Sequence, residues 1–345
     1  MTPIATRMAE IEPFHVMAIL ARARALEAQG RSIVHMEIGE PDFPTAAPIV
    51  EAGIAALRAG HTQYTPALGL PALRAAIAAS YPEATRPDPA RVVVTPGSSG
   101  ALTLVFGVLI NPGYEVLMAD PGYPCNRHFV RLFEGRATLV PVGASTSYQL
   151  TAALIRQHWT SATRAVLVSS PSNPTGTLVP DTEMAEIVRT VRELGGVLIV
   201  DEIYHGLTYG VQTRSALHYS VDVFVVNSFS KYYGMTGWRV GWLVAPVDFV
   251  EAIDRLAQNI FLAASTPAQH AALAAFRPEV LIELNQRRDE FHTLRDFLLP
   301  ALRALGFDIP ITPDGAFYLY ADSSRLAADS DDFAQRLLEE AGVAI

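Results

Sequence analysis

Lysine is nearly missing from this chain of 345 residues: lysine and arginine together number 26, and Lys231 is the only lysine among them. Cysteine is equally scarce. Cys125 stands alone, which excludes an internal disulfide and fits a reducing, cytoplasmic setting. Long apolar runs are lacking as well. The most apolar stretch, residues 101–110, is too short to cross a bilayer and suits a buried helix, and residues 1–12 hold no apolar core suited to export. A net charge of −9 argues against nucleic acid or an anionic membrane as the main partner. The nine histidines show no paired spacing, so no metal site is expected. There is no fixed-period repeat, no low-complexity tract and no extended linker.

What remains is a globular composition, half hydrophobic and 18% charged, at a length that suggests two domains. Apolar, β-rich runs recur at residues 91–95, 115–119, 137–142, 165–169, 197–200, 221–226 and 240–244. Their unbroken apolar character suggests strands covered on both faces. Helical stretches lie between several of them, such as residues 181–194, which open with an Asp cap and close at Gly195-Gly196. The expected class is α/β, a mainly parallel mixed sheet covered by helices. Residues 14–29, 247–258, 266–276 and 278–305 look helical, and 316–320 reads as a strand. We expect an N-terminal arm with part of a small domain at 1–40, a large domain at 41–246, and a small α+β domain completed by 247–345 from the other chain end.

Lys231 lies in Ser228-Phe229-Ser230-Lys231-Tyr232-Tyr233-Gly234-Met235-Thr236-Gly237-Trp238-Arg239. Charge does not explain one lysine among arginines. An amine, unlike a guanidinium, can lose its proton when desolvated, and its neutral form attacks carbonyls. Arg239 could hold a phosphate in bidentate fashion, with serines 228 and 230 as further donors. Thr95-Pro96-Gly97-Ser98-Ser99-Gly100 follows a strand and opens a helix, where backbone amides favour an anion, although such serines are often plain caps. Asp201-Glu202-Ile203-Tyr204 sets an acid at the carboxyl end of a buried strand, where open α/β sheets build ligand sites. Asn173-Pro174-Thr175-Gly176 is by itself a good turn, and Tyr123 in Pro121-Gly122-Tyr123-Pro124 offers an aromatic face or simply packs.

With Gly39-Glu40-Pro41-Asp42-Phe43 and Gln63-Tyr64-Thr65-Pro66, these segments span most of the chain. Together they resemble the class I/II aminotransferases of the fold-type I pyridoxal-phosphate superfamily. The resemblance implies pyridoxal 5′-phosphate as cofactor and amino-group transfer between an L-amino acid and a 2-oxo acid. It makes Lys231 the lysine that forms the imine with the cofactor aldehyde and later shuttles the proton. Asp201 is implied as the partner of the pyridine nitrogen, Asn173 and Tyr204 as partners of the phenolic oxygen, and Tyr123 as the ring-stacking aromatic. Ser98, Ser99, Ser228 and Arg239, with Ser230, are implied as the phosphate cradle. Tyr64 is implied to reach the phosphate of a neighbouring subunit in a homodimer with shared sites, and Gly39 to approach the substrate carboxylate.

One departure concerns the C-terminus. The resemblance implies a further segment after Ile345 carrying the arginine that clamps the substrate carboxylate. Neither Arg325 nor Arg336 is assigned that role, and a shortened chain that binds cofactor and turns over poorly is the expectation. Two alternatives stand beside transamination: a carbon–sulfur β-lyase with the same cofactor residues, and a ligand sensor built on an aminotransferase-like domain. The sensor reading needs a DNA-binding module, for which no room is expected before residue 14. His205, beside the acidic strand end, is expected to support or pack rather than to bind ligand.

Overall fold

The computed structural model describes residues 4–345; Met1–Pro3 of the expected N-terminal arm lie outside the described residues. Among the described residues nine strands form two sheets. The large sheet holds β2 (Val92–Thr95), β3 (Glu115–Asp120), β4 (Arg136–Pro141), β5 (Thr163–Ser169), β6 (Val197–Asp201), β7 (Phe224–Ser228) and β8 (Gly241–Val244) in the order β2-β8-β7-β6-β5-β3-β4. All neighbours run parallel except β8, which is antiparallel to both β2 and β7.

The reason for the unbroken apolar runs is visible residue by residue. Val92, Val94, Leu117, Val166, Val168, Leu198, Val200 and Val225 face one core, which helices Pro71–Ser80, Asp181–Glu193 and Thr266–Ala274 cover. The alternate residues Val93, Val116, Met118, Leu167, Ile199 and Val226 face a second core under helices Gly97–Leu109 and Val250–Ile260. Side chains alternate across a strand, so two covered faces require apolar residues at every position. Residues 101–109 of the apolar stretch lie in the buried helix Gly97–Leu109, and Ile110 ends it. Among the described residues no helix is long and apolar enough to cross a membrane, and no cluster of His, Cys, Asp or Glu could hold a metal ion.

The chain ends meet. β1 (Val34–His35) pairs in parallel with β9 (Val343–Ala344), and Ala23, Leu26, Leu338 and Ala344 form a small core beside them. Neither two-residue strand is anticipated from the sequence, because so short a run carries no periodicity. Two local expectations need correction. Residues 316–320 are not a strand: Ala316 sits at φ +56° and donates its N–H to Leu207 O (2.9 Å), which turns the segment inward. Asp181 does not cap its helix either; it is the first helical residue, Pro180 precedes it, and its Oδ1 accepts the Tyr219 hydroxyl (2.8 Å).

Candidate active site

The carboxyl edge of the large sheet gathers the chemistry. In register, Ser169 lies beside Asp201, Asp201 beside Val226, Ser228 beside Gly241, and Gly241 beside Thr95. The single antiparallel strand has a direct consequence. β7 and β8 are consecutive, so residues 229–240 form the loop between two hydrogen-bonded neighbours, and Lys231 is held at this edge. Phe229 N to Val240 O (3.0 Å), Met235 N to Phe229 O (3.0 Å) and Gly234 N to Lys231 O (3.0 Å) close the loop. Fully buried Phe229, packed on Trp242 and Phe276, anchors it from below.

Lys231 is half-buried, and its Nζ donates to Gly39 O. It lies 6.0 Å from the Tyr204 ring centroid and 5.8 Å from that of Phe317. Burial lowers the amine from its usual 10.5 to about 8; Arg239 adds to the fall, while Glu40 and Asp201 oppose it. Asp201, 7% exposed at the end of β6, accepts the Ile203 N–H at 3.0 Å. Burial raises its carboxyl to about 7, against the lowering by Ile203 N–H and Lys231. Tyr204 is 3% exposed, and its hydroxyl lies 3.4 Å from Asn173 Nδ2.

The second half of the site is cationic. Arg239, left-handed at φ +54°, crosses the start of helix Gly97–Leu109, and its Nη1 donates to Thr236 O (2.9 Å). No side chain caps that helix, so its first amides, at Gly97, Ser98 and Ser99, remain open to an anion. A Cβ on Gly97 would stand 2.5 Å from Arg239 Nη2, and φ there is +68°, so only glycine lets the guanidinium reach the helix start. Ser228 is 1% exposed; its hydroxyl lies within donating distance of both Ser230 Oγ (2.9 Å) and Val240 O (3.1 Å), one of which takes its single hydrogen, while Ser230 N donates back to Ser228 Oγ (3.1 Å).

A pocket open to solvent is lined by Tyr123, Asn126, Gln149, Ser169 and Asn173 among others; neither Lys231 nor Asp201 lines it. Lys231, Asp201, Asn173, Tyr204 and Gly39 come together through direct contacts or short distances, and Arg239, Gly97, Ser98, Ser228 and Ser230 adjoin one another at the same edge. Tyr64 is not part of the cluster. It is 83% exposed on a loop tied down by Thr266 Oγ1 to Gln63 O (2.6 Å) and Gln269 Nε2 to Thr65 Oγ1 (3.1 Å). Arg325 and Arg336 pair with Asp308 (3.9 Å) and Glu340 (3.1 Å). Sequence reasoning missed Tyr318, whose hydroxyl bonds Tyr204 Oη (2.7 Å) and Asn173 Nδ2 (3.2 Å). The only signal was its place in residues 316–320, which read as a strand.

A donor set of this kind suits one group in particular. An open helix start with a guanidinium takes a phosphate, a desolvated amine takes an aldehyde, a phenol and an amide take a ring oxygen, and a buried carboxyl takes a ring nitrogen. Pyridoxal 5′-phosphate carries all four. The comparisons agree. Residues 31–345 match the family model for aminotransferase class I and II. A valine–pyruvate aminotransferase from Mycobacterium tuberculosis is 39% identical over 349 residues, which cover 100% of this chain and 90% of that protein. A (5-formylfuran-3-yl)methyl phosphate transaminase from Methanocaldococcus jannaschii is 35% identical, covering 99% of this chain and 90% of its own. The structure of aspartate aminotransferase from Thermus thermophilus with maleate superposes with a TM-score of 0.94 at 32% identity, over 100% of this chain and 91% of that one. The fold is that of the fold-type I pyridoxal-phosphate enzymes. The chain belongs to the aminotransferase class I and II family and is a pyridoxal-phosphate-dependent aminotransferase.

Proposed function

We propose that the chain moves an amino group between an L-amino acid and a 2-oxo acid, with Lys231 as its central group. The observation that carries this reading is that the only amine side chain is desolvated at the sheet edge, with Gly39 O and the Tyr204 ring around it. When bound, pyridoxal phosphate supplies an aldehyde for the amine and a ring that accepts electrons from the substrate α-carbon. Lys231 Nζ, neutral in part near pH 8, is the group that captures the cofactor and later takes and returns the α-proton. Asp201 holds the proton on the ring nitrogen; a cationic partner there offsets the burial that otherwise keeps its carboxyl protonated.

Asn173 Nδ2 and Tyr204 Oη would hold the ring oxygen, and Tyr123 would offer its aromatic face to the ring. Arg239, Ser98, Ser99, Ser228 and Ser230 form the phosphate cradle. Gly39, free of a side chain, lets the substrate carboxylate approach. Exposed Tyr64 supports a homodimer in which each tyrosine completes the partner's phosphate site, and the lone Cys125 supports a cytoplasmic setting. The division that suits these roles is an arm at 1–40, a cofactor domain at 41–246 and a small domain at 247–345.

The test is chemical. The chain is mixed with pyridoxal phosphate, reduced with borohydride and digested, and the modified peptide is located by mass. The label is expected on Lys231 and absent from Lys231→Ala; a label confined to the N-terminal amine would reject the proposal. A panel of amino donors with an oxo-acid acceptor then reads transfer directly. Ammonia release without an acceptor would point to the lyase.

A further inference from the structure

Tyr318 has no part in the roles above, yet it occupies the middle of the site. Its hydroxyl is 2.7 Å from Tyr204 Oη and 3.2 Å from Asn173 Nδ2, and Asn173 Nδ2 is 3.4 Å from Tyr204 Oη. Three polar groups therefore form a closed triangle. Its backbone is tied to the segments that carry both partners. Gly315 N donates to Gly176 O (2.9 Å), three residues after Asn173, and Ala316 N donates to Leu207 O (2.9 Å), three residues after Tyr204. Tyr209 Oη donates to Ala316 O, and Tyr209 N to Asp314 O (2.9 Å). The ring packs 5.7 Å from Tyr204 and 4.9 Å from Phe317, centroid to centroid. The hydroxyl also abuts Gly39 so closely that a Cβ there would stand 2.2 Å from it.

The donor count gives this cluster a direction. An amide nitrogen only donates, whereas each phenol owns one hydrogen and can also accept. If Tyr204 gave its hydrogen to Tyr318, nothing would remain on Tyr204 to hold a further oxygen. With Tyr318 as donor, Tyr204 accepts from it and keeps its own hydrogen free. Burial pushes the Tyr318 phenol up to about 12 and raises Tyr204 as well, so both hydrogens remain in place at neutral pH.

We propose that Tyr318 is a positioning residue that donates to Tyr204 Oη, and so aims the Tyr204 hydrogen at the ring oxygen of pyridoxal phosphate. This rests on the reading that the site binds that cofactor. Tyr318 acts through Tyr204, not on the cofactor, and that is what the experiment separates. The full chain and its Tyr204→Phe, Tyr318→Phe and doubly substituted forms are loaded with pyridoxal phosphate, and the visible absorbance of the bound cofactor is titrated against pH.

Loss of a hydrogen bond to the ionised ring oxygen raises the midpoint in Tyr204→Phe; Tyr318→Phe is expected to raise it by about one pH unit. The double variant is expected to match Tyr204→Phe alone. Additive shifts, or a midpoint in Tyr318→Phe equal to that of the unaltered chain, overturn the proposal. So does a lower melting temperature with no midpoint shift, the mark of a purely structural role. Should Tyr318→Phe fail to fold, Tyr318→Leu takes its place in the same titration. Absence of cofactor absorbance in the unaltered chain is a different result, which removes the underlying binding assignment.

Discussion

A lone lysine turns an electrostatic argument into a clean measurement. The structure moves Lys231 from 10.5 to about 8, with burial as the main cause. At about 1.36 kcal/mol per unit, a fall of about 2.5 units corresponds to roughly 3.4 kcal/mol against the charged amine. At pH 7 about 9% of the side chain is then neutral, against about 0.03% for a solvated lysine, a gain of about 300-fold in reactive amine. The cofactor-free chain is exposed to trace acetic anhydride across pH 6 to 11, and acylation of the residue-231 peptide is followed by mass. The α-amino group is read separately in its own peptide. A midpoint near 8 is expected. Glu40→Gln is expected to lower it further, because Glu40 favours the charged form. A midpoint near 10.5 in the unaltered chain would refute the claim that burial tunes this amine.

Asp201 offers a stability test with a defined sign. Its folded pKa is raised from 3.8 to about 7, so the folded chain binds more protons and loses stability as pH rises from about 4 to about 7, by at most roughly 4 kcal/mol. Thermal melting of cofactor-free Asp201→Asn is expected to exceed that of the unaltered chain by several degrees at pH 8 and to match it near pH 4; a gap independent of pH would sink the argument. In the loaded enzyme the same substitution is expected to keep the cofactor and slow transamination by at least about 100-fold, and an unchanged rate removes Asp201 from its role. Arg239→Gln is expected to raise the dissociation constant for pyridoxal phosphate by about 10- to 100-fold, since it removes a charged hydrogen bond worth about 1.5–3 kcal/mol, with pyridoxal lacking the phosphate as the control that stays unaffected.

Much of this was legible before any coordinates. Continuous apolar runs report strands with two covered faces, so six of the seven large-sheet strands were placed within two residues; the seventh starts at Phe224 because residues 221–223 are spent in a turn before it. Lys231, Asp201 and Asn173 each end or follow such a run, which is why order along the chain revealed a site. What failed was governed by long-range contact. The pairing of Val34–His35 with Val343–Ala344 has no local signal at all. Residues 316–320 carry strand-like composition, yet bonds to Gly176 and Leu207 bend them into the site, and Tyr318 was lost with that error. Asp181 has the right residue type for a cap, but Tyr219 claims its oxygen.

The β1–β9 pairing also bears on timing during synthesis. Gly39, whose carbonyl receives the Lys231 amine, follows β1 by only a few residues, and β1 finds its partner far along the chain, at Val343–Ala344. A ribosome-bound chain can assemble the central sheet, but the segment bearing Gly39 has no strand to dock on until position 343 emerges. Closing so large a ring costs entropy that grows only logarithmically with its length, so the delay is set by elongation and not by diffusion. The surroundings of Lys231 are therefore expected to be completed only once Val343–Ala344 has been synthesised.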